Sequence, residues 1–222
     1  MAYTYEYPHP AVTTDVVIFT IRNDALELLL VNRGANPYQG SWALPGGFVD
    51  INEDIEACAL RELEEETGIS GVYLEQLYTF GKPGRDPRER VISVAYYALV
   101  PPDRMHIRAA SDASEVGWFR LDQLPELAFD HFEIVRMAHQ RLAAKLNYST
   151  IALQFMPSRF TLSELQTVYE CIQGELLDKR NFRKRVMSLD CIVDTGEYRR
   201  NGKYRPARLY SVKTPGTVEI IR

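Results

Sequence analysis

The chain has 222 residues, long enough for two modules and far beyond a peptide that needs disulfides to fold. Its 45% apolar and 25% charged content is that of a globular chain, not a disordered one, and no apolar run approaches the 18 residues a membrane helix needs. The net charge of −4 conceals an asymmetry: residues 151–222 carry 13 Lys+Arg against 8 Asp+Glu, leaving 13 against 22 for residues 1–150. An acidic module suited to cations and a basic one suited to a polyanion are expected.

The start of the chain, MAYTYEYPHPAV, has neither a basic n-region nor an apolar h-region, so no signal peptide is expected. Cys58, Cys171 and Cys191 are odd in number and far apart, which fits neither a disulfide framework nor a zinc site and points to a reducing cytoplasm.

In chain order, β-branched residues 12–21 predict a strand, and Leu26 to Arg33 predict its partner across an Asn23-Asp24 turn. GANPYQGSW reads as a loop, and ALPGGFVD as a short extended piece interrupted by Pro45 and two glycines. Asn52 to Thr67 is expected to be a helix, capped by Asn52, with Ile55, Cys58, Ala59 and Leu63 at helical spacing and Gly68 as its stop. VYLEQLYTF and RVISVAYYALV predict strands joined by GKPGRDPRE, and GWFRL a short strand before a helix through ELAFDHFEIVRMAHQRLAAKL. The order β-β-β-α-β-β-β-α implies a mixed α/β layout without regular βαβ alternation.

A boundary is expected between Asn147 and Pro157, dividing the chain into domains 1–150 and 151–222. Beyond it TLSELQTVYECIQG predicts a helix, with Thr161 as cap and Glu164 completing a capping box. A basic helix follows, beginning near Leu177 or Asp178, with Phe182, Val186 and Leu189 as its buried stripe. CIVDTGEYRRNGKYRPARLYSVK then reads as two strands around a basic turn.

Glu62, Glu65 and Glu66 fall at i, i+3 and i+4 and share one helix face. Like charges at that spacing repel unless compensated. A solvated face is one reading, and a hard divalent ion, Mg²⁺ or Mn²⁺, is the other. Arg61 stands four residues before Glu65 and is placed to brace it, while Gly46 and Gly47 allow close backbone approach. From Gly47 through Glu53 and Arg61-Glu62 to Glu65-Glu66, Gly68 and Ile69, the chain matches G-x₅-E-x₇-R-E-U-x-E-E-x-G-U, with U apolar. It resembles the Nudix box at every defined position. The resemblance implies an α/β/α sandwich around a mixed sheet and metal-dependent hydrolysis of a nucleoside diphosphate derivative. It also implies metal ligation by Glu62, Glu65 and Glu66, with help from Glu53 and Arg61. Asp86, Glu89, Asp112 and Glu115 are candidates for a general base arriving from a later loop.

The segment Gly81 to Arg88 resembles the RDPR segment of ADP-ribose pyrophosphatases and their regulatory relatives, and Leu127 to His131 resembles a second feature of that branch. Candidate substrate contacts are therefore Gly46, Gly47, Arg85, Asp86 and Arg88, with ADP-ribose or a close relative as ligand. Trp42 and Tyr38 are candidates to stack on a base, and His131 to touch ligand or to pack.

Helix, basic helix, basic hairpin is the order of a winged helix-turn-helix. Candidate DNA contacts are Lys179, Arg180, Asn181, Arg183, Lys184 and Arg185 on the helix, and Arg199, Arg200, Lys203, Arg205 and Arg208 in the hairpin. Of these, Asn181 and Arg185 are the candidate readers of base edges. A dimerisation module with a solvated basic face is the alternative. Residues 157–213 resemble the C-terminal domain of Nudix-related transcriptional regulators of NAD or sugar metabolism, which implies DNA and a homodimer as partners. Such regulators often have eroded boxes, whereas every metal-bearing position here is intact. Two functions stay open: a Nudix hydrolase that also binds DNA, and a ligand-sensing regulator with little turnover.

Overall fold

The computed structural model describes residues 6–104, 113–200 and 206–221. Nine strands and four α-helices are found among them. The first strand, β1 (Ala11–Arg22), is buried without a break from Thr13 to Thr20, the burial pattern of a strand covered on both faces. It turns into β2 (Ala25–Arg33) through Asn23 and Asp24, with φ of 51° and 54°. Two successive left-handed residues make the tight turn whose twist matches a hairpin, and Asn and Asp tolerate that region.

The ALPGGF segment forms two short strands, β3 (Trp42–Ala43) against β2 and β4 (Gly46–Phe48) against β1, both antiparallel. With β5 (Tyr73–Phe80), β6 (Val91–Leu99) and β7 (Ala113–Arg120) they build one seven-stranded sheet. Its main order is β3-β2-β1-β6-β5, and β7 joins on β2. The register Thr14↔Gly47 and Asp15↔Gly46 lays the two glycines beside the middle of β1.

Helix α1 (Ile55–Thr67) follows at once. Its cap is Asp54, whose carboxylate accepts the Glu56 N–H at 3.0 Å, and not Asn52 as expected. Asn52 lies in the preceding turn, too early for its side chain to serve the first helical amides. The helix ends as expected at Gly68, whose φ of 73° lets its N–H close on the Glu64 carbonyl at 2.8 Å. Helix α2 (His131–Lys145) is the last long element before residue 150.

Further on come α3 (Leu162–Gln173), α4 (Lys179–Ser188) and the hairpin β8 (Ile192–Arg199) with β9 (Ala207–Val212). The expected capping box is formed in full, since Thr161 Oγ1 accepts from Glu164 N and Glu164 accepts from Thr161 N. Asp178 caps α4 by accepting from Asn181 N at 2.8 Å. Tyr169 of α3 meets Phe182 of α4 edge-on at 5.3 Å between centroids, and Phe160 pairs with Tyr210 of β9. Phe182 and Val186 are buried as the stripe predicted, while Leu189 is half-buried because it follows the last helical turn.

By contacts, the chain divides into two compact units. One comprises the residues up to Ile18, Leu28–Ala98 and the segment ending at Ala138. The other comprises Phe19–Glu27, the segment beginning at Leu99, and the residues from His139 onward. Among the described residues no helix is long and apolar enough to cross a membrane.

Candidate functional site

The two box glycines have separate steric reasons. A Cβ on Gly46 would stand 2.1 Å from the Thr14 carbonyl oxygen, a backbone atom with no room to yield. A Cβ on Gly47 would stand 2.1 Å from Glu62 Oε1, a side-chain end. The absence of a Cβ at Gly47 is therefore what admits the Glu62 carboxylate, on a residue only 9% exposed. Gly46 also donates its N–H to Glu66 Oε2 at 2.9 Å.

Arg61 organises the remaining acids. Its Nε and Nη2 hold Glu53 in a bidentate pair at 2.7 and 2.8 Å, and its Nη1 reaches Glu62 Oε1 at 2.6 Å and Glu65 Oε2 at 3.2 Å. The Arg61 hydrogen bonds hold the Glu53 carboxyl at about 2. Burial pushes Glu62 up, and it pushes Glu66 up to about 7 against the opposing Gly46 hydrogen bond. Burial outweighs the cations near these two acids, Arg61 against Glu62 and Arg33 near Glu66. Their hard carboxylate oxygens suit Mg²⁺ or Mn²⁺ in donor type. Glu62 and Glu65 already face a common cation, the Arg61 nitrogen. In this arrangement, however, no three acidic, His or Cys side chains among the described residues converge as a ready metal set.

A cavity of about 190 Å³ opens beside the glycines, lined by Gly46, Gly47, Phe48, Arg85, Asp86 and Arg88. All five predicted substrate contacts are thus brought together. Their chemistry differs from expectation. Arg85 is buried and turned to Asp130, with Nη2–Oδ1 at 2.6 Å and Nε–Oδ2 at 3.0 Å, and to Asp15 at 3.3 Å. Burial opposes its charge, and the two carboxylates more than offset that, so its pKa rises. Asp15 further accepts the Ser93 hydroxyl and lies 3.4 Å from His131 Nε2. His131 Nδ1 accepts the Leu44 N–H at 2.9 Å, which leaves the imidazole proton on Nε2, facing Asp15. Burial holds the His131 pKa below its ordinary value, so the ring is neutral, and it also lines the cavity.

Arg88 pairs bidentately with Asp86 at 3.0 and 2.7 Å and lies over Phe48 and Phe129, 5.1 and 5.9 Å from their centroids. The Arg88 hydrogen bonds lower the Asp86 pKa, which makes this carboxylate a poor proton acceptor near neutrality. Glu89 and Glu115 are exposed and line no part of the cavity, and Asp112 lies outside the described residues. Trp42 packs edge-on against Phe119 at 4.6 Å and is not among the residues that line the cavity. Tyr38 packs against Phe129 at 4.7 Å. Sequence reasoning missed Thr13, Asp15, Arg33 and Phe129, all of which line the cavity. For Asp15, an acid inside an otherwise apolar strand was the available signal.

In the second compact unit, Lys179, Arg180, Asn181, Arg183 and Lys184 are exposed on α4. Arg185 is also exposed, but its Nη2 donates to the Leu146 carbonyl at 2.9 Å and its guanidinium lies over Tyr169 at 5.7 Å. It is thus committed within its own unit and not aimed outward as a base reader. Arg199 is similarly tied, to Glu164 at 2.6 Å and the Arg159 carbonyl at 2.9 Å. Arg208 pairs with Asp194 at 2.7 Å. Arg200 ends the described part of the hairpin, and Lys203 and Arg205 lie outside the described residues.

Comparison with known proteins agrees with both halves. The NUDIX domain family matches residues 12–138, and the NrtR DNA-binding winged helix domain matches residues 152–212. The chain belongs to the Nudix family, and within it to the members that carry an NrtR-type winged helix. It is similar to the ADPR responsive transcriptional repressor NtrR of Acinetobacter baylyi, 39% identical over 209 residues that cover 92% of this chain and 83% of that protein. The ADP-ribose pyrophosphatase of Methanocaldococcus jannaschii is 40% identical over 130 residues, 59% of this chain and 73% of that one. The crystal structure of Shewanella oneidensis NrtR complexed with a 27mer DNA is similar with a TM-score of 0.82 at 39% identity, covering 91% of this chain and 93% of that one.

Proposed function

We propose that this protein binds ADP-ribose in its Nudix part and DNA through its winged helix, and that the Nudix part hydrolyses the diphosphate of ADP-ribose or a close nucleoside diphosphate relative. The observation that carries the reading is the union in one chain of a complete Glu53–Glu66 box beside a cavity and an exposed basic helix, Lys179 to Lys184. Similarity to a repressor over both halves and to a pyrophosphatase over the first supports the two activities.

Glu62, Glu65 and Glu66 would hold the divalent ion, which supplies charge neutralisation on the diphosphate and a more acidic water. Arg61 orients Glu53 and steadies Glu62 and Glu65. Gly46 and Gly47 keep the wall of the cavity free of side chains. On the DNA side, the exposed cations of α4 meet phosphates and Asn181 reads a base edge. A two-fold dimer presents two such helices to paired half-sites.

One observation favours a sensing role with little turnover: Arg61 pairs with one oxygen of Glu62 and one of Glu65, so it competes with a metal for these carboxylates. A single experiment separates the readings. Release of AMP from ADP-ribose is measured with Mg²⁺, beside gel shifts of the protein's own upstream DNA at two salt concentrations, with and without ADP-ribose. Turnover lost in Glu65→Gln and Glu66→Gln proteins, together with a shift at low salt, is the expected result. Turnover unchanged in those variants would sink the metal assignment, and no shift in any condition would sink DNA binding.

A further inference from the structure

We propose that Arg33 and Thr13 form a subsite for a phosphate oxygen of the ligand, and that Phe129 is the positioning residue that keeps Arg33 there. The inference rests on the reading of the cavity as a nucleoside-diphosphate site and adds to it the residues that meet the charge.

Three arginines line the cavity, and two are already neutralised inside the protein: Arg85 by Asp130 and Asp15, and Arg88 by Asp86. Arg33 differs. Its Nε donates to the Pro37 carbonyl at 2.8 Å, and among the described residues no carboxylate lies within ion-pair distance of it. Its guanidinium lies 4.8 Å from the Phe129 centroid, and Arg88 approaches the same ring. Burial and the nearby Arg88 charge lower its pKa, and the more distant carboxylates of Asp86, Glu66 and Asp15 offset this only in part. Thr13 adds an independent sign. It is 7% exposed, it lines the same cavity, and its buried Oγ1 has no hydrogen-bond partner. Thr13 and Asp15 stand two apart on β1, so both side chains face the same way. A buried hydroxyl without a partner is costly unless a ligand completes it.

Phe129 is held against preference. Its φ of 55° is left-handed, and such strain persists where neighbours over-determine it. Here Ala128 N–H is bonded to the Trp42 carbonyl at 2.8 Å, Asp130 is clamped by Arg85, and His131 accepts from Leu44. These anchors fix the ring under the Arg33 guanidinium. At about 190 Å³ the cavity is smaller than one that encloses a whole drug-sized ligand, so it takes one end of the ligand.

The test uses the full chain, calorimetry at two salt concentrations, and ADP-ribose and inorganic diphosphate as probes. Arg33→Gln is expected to weaken ADP-ribose binding roughly 10- to 100-fold and to flatten its salt dependence, with an unchanged melting temperature. Thr13→Val keeps shape and removes the hydroxyl, and should weaken binding several-fold without touching the salt dependence. Phe129→Leu should weaken binding, and Phe129→Tyr, which keeps the ring, should restore it. Wild-type affinity in Arg33→Gln, or a loss with unchanged salt dependence, would overturn the subsite while leaving the ADP-ribose reading intact. Wild-type protein that binds diphosphate through Arg33 but not ADP-ribose would overturn that reading and support the subsite. Binding of neither probe would overturn both.

Discussion

Arg61 holds Glu53 by two parallel hydrogen bonds, at 2.7 and 2.8 Å, while its third nitrogen touches Glu62. The pair stands eight residues apart, across the start of α1, and keeps the Glu53 carboxyl at about 2. In Arg61→Ala protein that carboxyl should return toward roughly 4, the ordinary glutamate range. A depressed folded-state pKa contributes stability above the unfolded value and loses it as pH falls through the folded one. Wild-type protein therefore loses this contribution between about 4.5 and 2, and the variant should not. Carboxyl-carbon NMR titration reads the pKa directly. A Glu53 titration unmoved by the substitution would refute the assignment.

Glu66 behaves in the opposite sense. Burial raises it from the ordinary 4.5 to about 7. A raised folded-state pKa contributes stability below the unfolded value and loses it as pH climbs through the folded one. Metal-free protein should lose melting temperature between about pH 5 and pH 7.5, and Glu66→Gln should remove that part of the slope. Added Mg²⁺ should restore the wild type above pH 7, where the carboxylate is free to bind it. Thermal melts in chelator and in Mg²⁺ check the point, and an identical slope in the variant would count against it.

The two glycines should fail differently when given a methyl group. Gly46→Ala drives a Cβ onto the Thr14 backbone oxygen and should cost about 1–3 kcal/mol of stability. Gly47→Ala meets the movable end of Glu62, so the fold should survive while turnover falls on the order of 10²-fold. Denaturant melts and AMP release, measured on both variants, should show the two losses in opposite order.

On the DNA side, replacing Arg183 and Lys184 with Ala should lower the slope of log affinity against log salt by nearly 2, about 0.9 for each phosphate no longer neutralised. Arg185→Ala removes the bond to the Leu146 carbonyl and the packing against Tyr169. It should lower the melting temperature more than it changes that slope. A fluorescence anisotropy titration across a salt series distinguishes the two. An Arg185→Ala protein with wild-type stability and a slope reduced by about 1 would return Arg185 to the DNA-contacting set.

Much of this site was legible in the sequence because its rules are local. Three glutamates at i, i+3 and i+4 share a face on any helix, and Thr161 with Glu164 makes a capping box wherever the helix starts. The helix cap fell to Asp54 instead of Asn52, a choice between acceptors two residues apart that turns on where the chain enters the helix. Charge was legible, but direction was not. Nothing in RDPR says that Arg85 turns inward to Asp130, 45 residues away, or that Arg185 turns back to Leu146.

The sequence by itself determined the Nudix identity of the acidic helix and the basic character of residues 179–185, because each depends on spacing within a few turns of chain, whereas the steric need for glycine at 46 and 47 comes from Thr14 across the sheet and Glu62 on α1. The tertiary structure alone decided which arginine keeps a charge without a carboxylate partner. Thr13, Arg33 and Phe129 meet because β1, β2 and the turn before α2 line one cavity, and the sheet register sets that meeting. Side chains separated by up to 116 positions are then partnered by proximity in space, which no local pattern encodes.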